Sequence, residues 1–244
     1  RSFVGIGRGA FLDFLNIKSE KPISAVKEAI EIIQNLSAGI KKPFHGEIFS
    51  LKEGAFFRWN ADHRRIPVMV GTWGKKMSTL AGKKADEVKA SPLWNSEYAR
   101  TLRSKIDQGA ISAGRVPSEI GLTLGVLTSI HNDSDVAKEY ARNALAIYLP
   151  HLSPMTEVMG VPSTEIDNVR KLSNLGKYSE ASKLISDETL KNFSLYGCPR
   201  EIRSKITSLI DTAPVDKIEF GTPHGPNSFE AINLLKNEVI PWFS

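Results

Sequence analysis

The chain has few of the features that settle a function at sight. Its 244 residues include one cysteine, Cys198. That excludes an intrachain disulfide framework and makes a reducing cytoplasm the expected compartment. No apolar run approaches the ~18–20 residues of a membrane span, so no membrane partner is expected. The residues after Arg1 do not read as a secretory leader either. The five histidines show neither H-x-H nor H-E-x-x-H spacing, and no metal is expected. A G-x-S-x-G elbow and a Walker A lysine are also missing. Formal net charge is +5, but the lysines are scattered over helices. The densest basic stretch, Asp62-His63-Arg64-Arg65, falls in an expected loop. Nucleic-acid binding usually needs a concentrated patch and is not expected, whereas a mildly basic surface suits an anionic cofactor or substrate.

What the chain does have is a strand–turn–helix grammar. Its clearest instance is Ile66-Pro67-Val68-Met69-Val70-Gly71-Thr72-Trp73-Gly74-Lys75-Lys76. A continuous apolar run suits a parallel strand covered on both faces. The glycine turn would present backbone amides at a helix start, a geometry that binds phosphate or another anion. Four further strands are expected, at Ser2–Ile6, Asp86–Ala90, Leu122–Ile130 and Asp216–Phe220. Helices follow, among them Pro22–Leu36, one from about Ser96 to Ala113, and one capped by Asn132-Asp133-Ser134-Asp135. The last carries Val136, Tyr140, Ala144 and Ile147, and a closing helix from Ser228 is expected to turn Phe229, Ile232, Leu235 and Val239 inward.

Two segments interrupt the rhythm. His45–Trp59 suggests two short extended pieces, Glu47–Leu51 and Ala55–Trp59, joined at Glu53-Gly54. Residues 154–212 read as a helical insertion ending in a helix with Pro199 in its first turn and Ile202, Ile206 and Ile210 on one face. Alternating strands and helices predict an α/β fold with a parallel sheet. Five units of about 30 residues do not close an eight-stranded barrel, so the sequence reads as one domain over 1–244 from which three N-terminal units, roughly 90 residues, are absent.

In parallel α/β folds functional groups gather at the C-terminal ends of strands. Here those ends carry Gly5-Ile6-Gly7-Arg8-Gly9-Ala10, Gly71-Thr72-Trp73-Gly74, Lys89-Ala90, Ser129-Ile130-His131 and Gly221-Thr222-Pro223-His224-Gly225. Tight turns alone would account for any one glycine group; three together favour a shared ligand. The first group fits a G-x-G-x-x-A dinucleotide pattern, but no helix follows at once, and Glu28 and Glu31 fall inside a helix. His131 and His224 stand where acid–base or hydrogen-bonding work could be done, or a purely structural role. His45, His63 and His151 read as surface residues and Cys198 as a helix cap. Trp59 and Trp73 could belong to the core, though Trp73 is placed to wall a planar ring.

In order and spacing, these segments resemble the luciferase-like monooxygenase superfamily, in its branch of deazaflavin-dependent reductases typified by methylenetetrahydromethanopterin reductase. The residues that carry the likeness are Val4-Gly5-Ile6-Gly7-Arg8-Gly9, Val26-Lys27-Glu28-Ala29 and His45-Gly46-Glu47-Ile48-Phe49, then Val70-Gly71-Thr72-Trp73-Gly74, Leu80-Ala81-Gly82 and Ala85-Asp86-Glu87-Val88. Tyr196-Gly197-Cys198-Pro199 with Glu201, and Phe220-Gly221-Thr222-Pro223-His224-Gly225, complete the set. The resemblance implies a (β/α)8 TIM barrel with an insertion after the seventh strand. It implies a hydride-transferring oxidoreductase using coenzyme F420, with methylenetetrahydromethanopterin as one acceptor. Gly71, Thr72, Trp73 and Gly74 would contact the cofactor's phosphate side, and Gly5, Gly7 and Arg8 would lie near its ring. Arg8, His131 and His224 are the candidates for orienting or protonating groups. Where some relatives carry a carboxylate after the glycine motif, this chain has Ala10, and Asp13 is the nearest acid. A homodimer is implied as well. The alternatives are an FMN-dependent monooxygenase of the same fold and a non-catalytic remnant of it.

Overall fold

The structure, a computed structural model, describes residues 2–9, 12, 15–18, 20–57 and 64–243. Ala10, Asp13, Trp59, Asp62 and His63 lie outside the described residues. Two compact units partition the chain, residues 1–89 with 101–122, and residues 90–100 with 123–244.

The first unit begins with strand β1 (Val4–Gly7) and helix α1 (Pro22–Ser37), then a two-stranded hairpin of β2 (Phe44–His45) and β3 (Ser50–Leu51). Strand β4 (Val68–Gly71), helix α2 (Lys75–Lys84), strand β5 (Glu87–Ala90) and helix α3 (Ser96–Ser112) follow. β1 pairs in parallel with β4, and β4 with β5. Val68, Val70 and Val88 are fully buried, as are Ile30, Ala81, Leu102 and Ile106 on the helices. α2 and α3 meet backbone to backbone. A Cβ at Gly82 would fall 2.1 Å from the Ile106 carbonyl oxygen, and one at Gly109 2.1 Å from that of Thr79. Glycine is needed there for close approach, not for an unusual dihedral.

The excursion near residue 50 pairs differently from the sequence expectation. Its strands are β2 and β3, in antiparallel register Phe44↔Leu51 and His45↔Ser50, and Ala55–Phe57 are irregular. The reason lies in α1. Glu28, 8 % exposed, accepts the amides of Glu47 (2.7 Å), Ile48 (3.0 Å) and Phe49 (2.8 Å). Gly46 makes room, since a Cβ there would lie 2.2 Å from Glu28 Oε2. The carboxylate therefore replaces a turn-forming sequence as the organiser of residues 46–49.

The second unit contains strand β6 (Gly121–Ile130), helix α4 (Ser134–Tyr148) and four short helices: α5 (Met155–Val158), α6 (Ser163–Ser173), α7 (Tyr178–Ser182) and α8 (Asp187–Phe193). Strand β7 (Ser194–Gly197), helix α9 (Pro199–Thr212), strand β8 (Lys217–His224) and helix α10 (Ser228–Leu234) close it. Both β7 and β8 run parallel to β6, and Leu127 has partners on both of its edges, Ser194 and Gly221. The segment 154–212 is thus not wholly helical. Its four-residue strand Ser-Leu-Tyr-Gly is too short to show a period, but it finds an open edge on β6. One face of these strands supplies Val126, Ile130 and Leu195 to a core with Ile202 and Ile206 of α9 and Ala231 and Leu235 from the closing helix.

Three helix faces differ from the expectation. On α9, Leu209 is buried and Ile210 is half exposed, because a period of 3.6 returns at i+7 and overshoots at i+8. In the closing helix Leu235 and Val239 face inward with Ala231, while Phe229 is 77 % exposed and Ile232 points outward. On α4 the buried stripe is Ala137, Ala141 and Leu145, not Val136 and Ile147. Small residues let that helix sit close to β7.

The Glu28 clamp predicts a pH response. Burial raises the carboxyl's proton affinity, but the amides of Phe49, Ile48 and Glu47 outweigh it and hold Glu28 below the usual carboxylate range. The folded value is depressed, so the stabilisation is present above the unfolded value of 4.5 and is lost as pH falls through the lower folded one. Amide exchange at Glu47, Ile48 and Phe49 should accelerate below that value while α2 stays protected. In Glu28→Gln the acceleration should already be present at neutral pH.

Candidate cofactor-binding site

In the first unit the register Gly5↔Met69, Gly7↔Gly71 and Gly71↔Lys89 turns these residues to one face, since in-register partners share a side. That face carries Gly5, Gly7, Met69, Gly71, Glu87 and Lys89; the other carries the valines of the core. Gly5, Gly7 and Gly71 are exposed. A Cβ at Gly5 would meet nothing within 4 Å, and one at Gly71 only the Ile6 carbonyl oxygen at 3.7 Å. Neither strand glycine has a positive φ. Their effect is to leave bare backbone where side chains would otherwise stand. Arg8, directly after β1, is exposed.

The turn after β4 corrects one part of the expected amide array. Thr72 donates its amide to the Lys89 carbonyl (2.9 Å), and its Oγ1 accepts the Gly74 amide (2.9 Å). Gly74 itself has an ordinary extended conformation, φ −85° and ψ 130°. The Gly74 amide is therefore committed. The intrahelical ladder begins with Ser78 N–H to the Gly74 carbonyl (2.9 Å), which leaves the amides of Lys75, Lys76 and Met77 ahead of it. No side chain caps α2 and no acid lies in its first turn. Lys75 and Lys76 are exposed there, against the helix dipole at a cost of roughly 0.3–1 kcal/mol each. By contrast α4, α9 and α10 each start with a capping side chain and an acid in the first turn. An anion at the start of α2 would meet amides, dipole and ammonium groups of one sign. Trp73 is half-buried within the same turn.

In the second unit His131 and His224 end adjacent strands, Ser129 and His224 being in register. Each imidazole is tied to backbone through one nitrogen. His131 Nδ1 accepts the Asp133 amide (3.0 Å), and His224 Nε2–H donates to the Phe220 carbonyl (3.0 Å). His224 adopts φ +73°, which directs its ring back over its own strand. Among the described residues the second ring nitrogen of each has no hydrogen-bond partner.

Sequence reasoning missed a polar cluster at the end of β7. Glu201 Oε2 accepts the Ser134 hydroxyl (2.7 Å) and the Cys198 amide (3.2 Å). The Glu201 amide in turn faces the Cys198 thiol, completing a capping box at the start of α9. That amide lowers the thiol's pKa, and the Ser134 hydroxyl lowers that of Glu201. Lys205 Nζ donates to the Tyr196 carbonyl (2.5 Å) and lies 4.2 Å from its ring centroid. Burial pushes Lys205 down and Tyr196 up. Beside them Asp187 is held down to about 2 by Lys138 at 2.8 Å and Arg142 at 2.6 Å. The visible signal was Cys198-Pro199-x-Glu201, a cap, a first-turn proline and an acid at the third helical position. The ionic partners come from α4 and α8, far away in sequence.

The parallel strands and crossover helices define the chain as an α/β protein. Residues 1–216 match the family model described as luciferase-like monooxygenase, and the chain belongs to that family. It is 29 % identical over 248 residues to 5,10-methylenetetrahydromethanopterin reductase of Archaeoglobus fulgidus, covering 99 % of this chain and 73 % of that protein. Among solved structures it resembles the coenzyme F420-dependent tetrahydromethanopterin reductase of Methanopyrus kandleri, with a TM-score of 0.86, 24 % identity, and coverage of 100 % of this chain and 75 % of the other. An F420-dependent secondary alcohol dehydrogenase in complex with an F420–acetone adduct superposes with a TM-score of 0.74 at 20 % identity, over 98 % and 68 % of the two chains.

The turn into α9 offers a test of the missed cluster. Gly197 adopts φ +135°, and a Cβ there would lie 2.2 Å from Glu201 Oε2. Gly197→Ala should therefore cost about 1–3 kcal/mol, read as a lower urea midpoint. Gly160→Ala, at φ +70° with open space around it, should cost less, because only the dihedral opposes it.

Proposed function

We propose that this chain is a coenzyme F420-dependent oxidoreductase of the luciferase-like family, passing a hydride between the deazaflavin and an organic acceptor of the methylenetetrahydromethanopterin type. The observation that carries the proposal is the uncapped, lysine-bearing start of α2 beside the bare face of Gly5, Gly7 and Gly71. These residues fit a cofactor with a flat ring and an anionic tail. The amides of Lys75, Lys76 and Met77 would hold a phosphate, and Thr72 shapes the turn by fixing Gly74. The glycine backbone leaves room for a planar ring, and Trp73 flanks the same turn.

The bound cofactor supplies the hydride chemistry; the protein's part is to position the two reactants and exclude water. Arg8 and the free nitrogens of His131 and His224 are the proposed orienting or protonating groups. The named relatives favour F420 over FMN. We further place the enzyme in the cytoplasm as a homodimer, with a small-molecule substrate; no described helix is long and apolar enough to cross a membrane.

The test uses binding and stability together. F420 should bind the purified chain in competition with inorganic phosphate, and reduced F420 should be oxidised on addition of methylenetetrahydromethanopterin. Gly5→Leu has open space around its Cβ, so its thermal midpoint should stay within about 2 °C, a shift of at most about 0.5–1 kcal/mol. Its affinity for F420 should fall at least about tenfold, roughly 1.4 kcal/mol. Tight FMN binding with oxygen uptake on reduced flavin would replace this reading by the monooxygenase. Binding of neither cofactor would favour a non-catalytic remnant.

A further inference from the structure

Strand β5 breaks a rule that its neighbour keeps. A strand inside a parallel sheet is normally apolar on both faces, as Val68-Met69-Val70-Gly71 of β4 is. β5 reads Glu87-Val88-Lys89-Ala90. Val88 and Ala90 are fully buried, while Glu87 and Lys89 are half-buried on the opposite face. That face is the bare one. Two transverse rows cross it, Gly5–Met69–Glu87 and Gly7–Gly71–Lys89. The two charges are not equivalent. The Glu87 side chain packs on Gly121, where a Cβ would lie 3.3 Å from its Cγ and 3.7 Å from its Oε2. Lys89 stands nearer the strand ends, level with two glycines. Its backbone is pinned there, because its carbonyl accepts the Thr72 amide at 2.9 Å. Adjacent strands lie about 4.8 Å apart. The flexible four-carbon stem of a lysine spans that distance, and Gly71 has no side chain to block it.

We infer that Lys89 sets its ammonium at the edge of a planar ring laid on Gly5, Gly7 and Gly71, and stabilises the redox form that carries the hydride. This rests on the F420 reading proposed above and adds a residue to that site. A hydride is one proton with two electrons. Its transfer leaves the donor one unit more positive and the acceptor one unit more negative, so the ring gains a negative charge when it takes the hydride and loses it on passing the hydride to the organic acceptor. An ammonium fixed beside the ring favours the charged side of that exchange, and in a half-buried place it does so more strongly than in water. Charge near the ring is one of the levers by which a protein tunes a redox cofactor. Lys75 and Lys76 act differently. An anionic tail has the same charge in both redox forms, so the α2 start holds both alike, whereas Lys89 tells them apart.

Oxidised and reduced F420, titrated separately into the chain without oxygen, test this through the ratio of their two dissociation constants. Lys89→Met should weaken the reduced form about tenfold more than the oxidised one, which lowers the midpoint potential of the bound cofactor by about 30 mV. Lys89→Arg keeps the charge and should keep the ratio. Lys76→Met, in the first turn of α2, should weaken both forms alike and leave the ratio where it was. If Lys89→Met does not fold, as judged by circular dichroism, Lys89→Gln serves and should shift the ratio in the same direction. An unchanged ratio in the Met or Gln variant, or an equal loss of both forms, overturns the role of Lys89 and leaves the F420 reading standing. So does a shift in Lys76→Met as large as that in Lys89→Met. Failure of the unaltered chain to bind either form overturns the reading and this inference with it.

Discussion

The parallel register of β1 against β4 is the constraint on which the rest of the site depends. It sets Gly7 beside Gly71, so that two strands end together without side chains on the same face. A Cβ on Gly7 would lie 3.0 Å from the Gly71 carbonyl oxygen, and the strands could not close to that spacing with a larger residue there. The same register places Thr72 where its amide reaches Lys89 and its hydroxyl reaches Gly74, which fixes where α2 starts. A shift of one residue would turn the valines outward and the glycines into the core.

The second unit is built on a different principle. Where α2 begins bare, α9 begins capped, with Glu201, Ser134 and Cys198 closing on one another. An acid at that start would repel an anion, whereas the α2 start carries only lysines. Asp187, bridging Lys138 and Arg142, ties α8 to α4. Arg142 also donates to the Ile185 carbonyl, which anchors the turn before α8. These links are side-chain chemistry between helices, and they add to the burial of Leu190 and Phe193 on α8.

Much of this was legible in the residues. Continuous apolar runs located β4 and β6, and turn glycines located the strand ends, because both signals act over a few neighbouring positions. The N-cap at Asp133 followed from local chemistry as well, and its carboxylate accepts the Asp135 and Val136 amides. What stayed hidden depends on partners distant in sequence. Glu28 could be read only as an acid inside a helix until the hairpin it clamps was placed beside it. β7 was invisible because four residues show no period, and only the open edge of β6 makes them a strand. The faces of α4 and of the closing helix were misjudged for a related reason. Bulky residues are the sequence signal for a core face, but close packing selected Ala137, Ala141 and Ala231. The glycines of the turn were read as sources of free amides, yet the Thr72 hydroxyl takes one of them.

In the proposed function the first turn of α2 holds the anionic tail of the cofactor. Backbone amide shifts on titration with F420 measure this directly. The largest changes are expected at Lys75, Lys76 and Met77, with Gly5, Gly7 and Gly71 following and the start of α9 at Pro199–Glu201 unmoved. Saturable binding that shifts the α9 start and leaves Lys75–Met77 in place would contradict it.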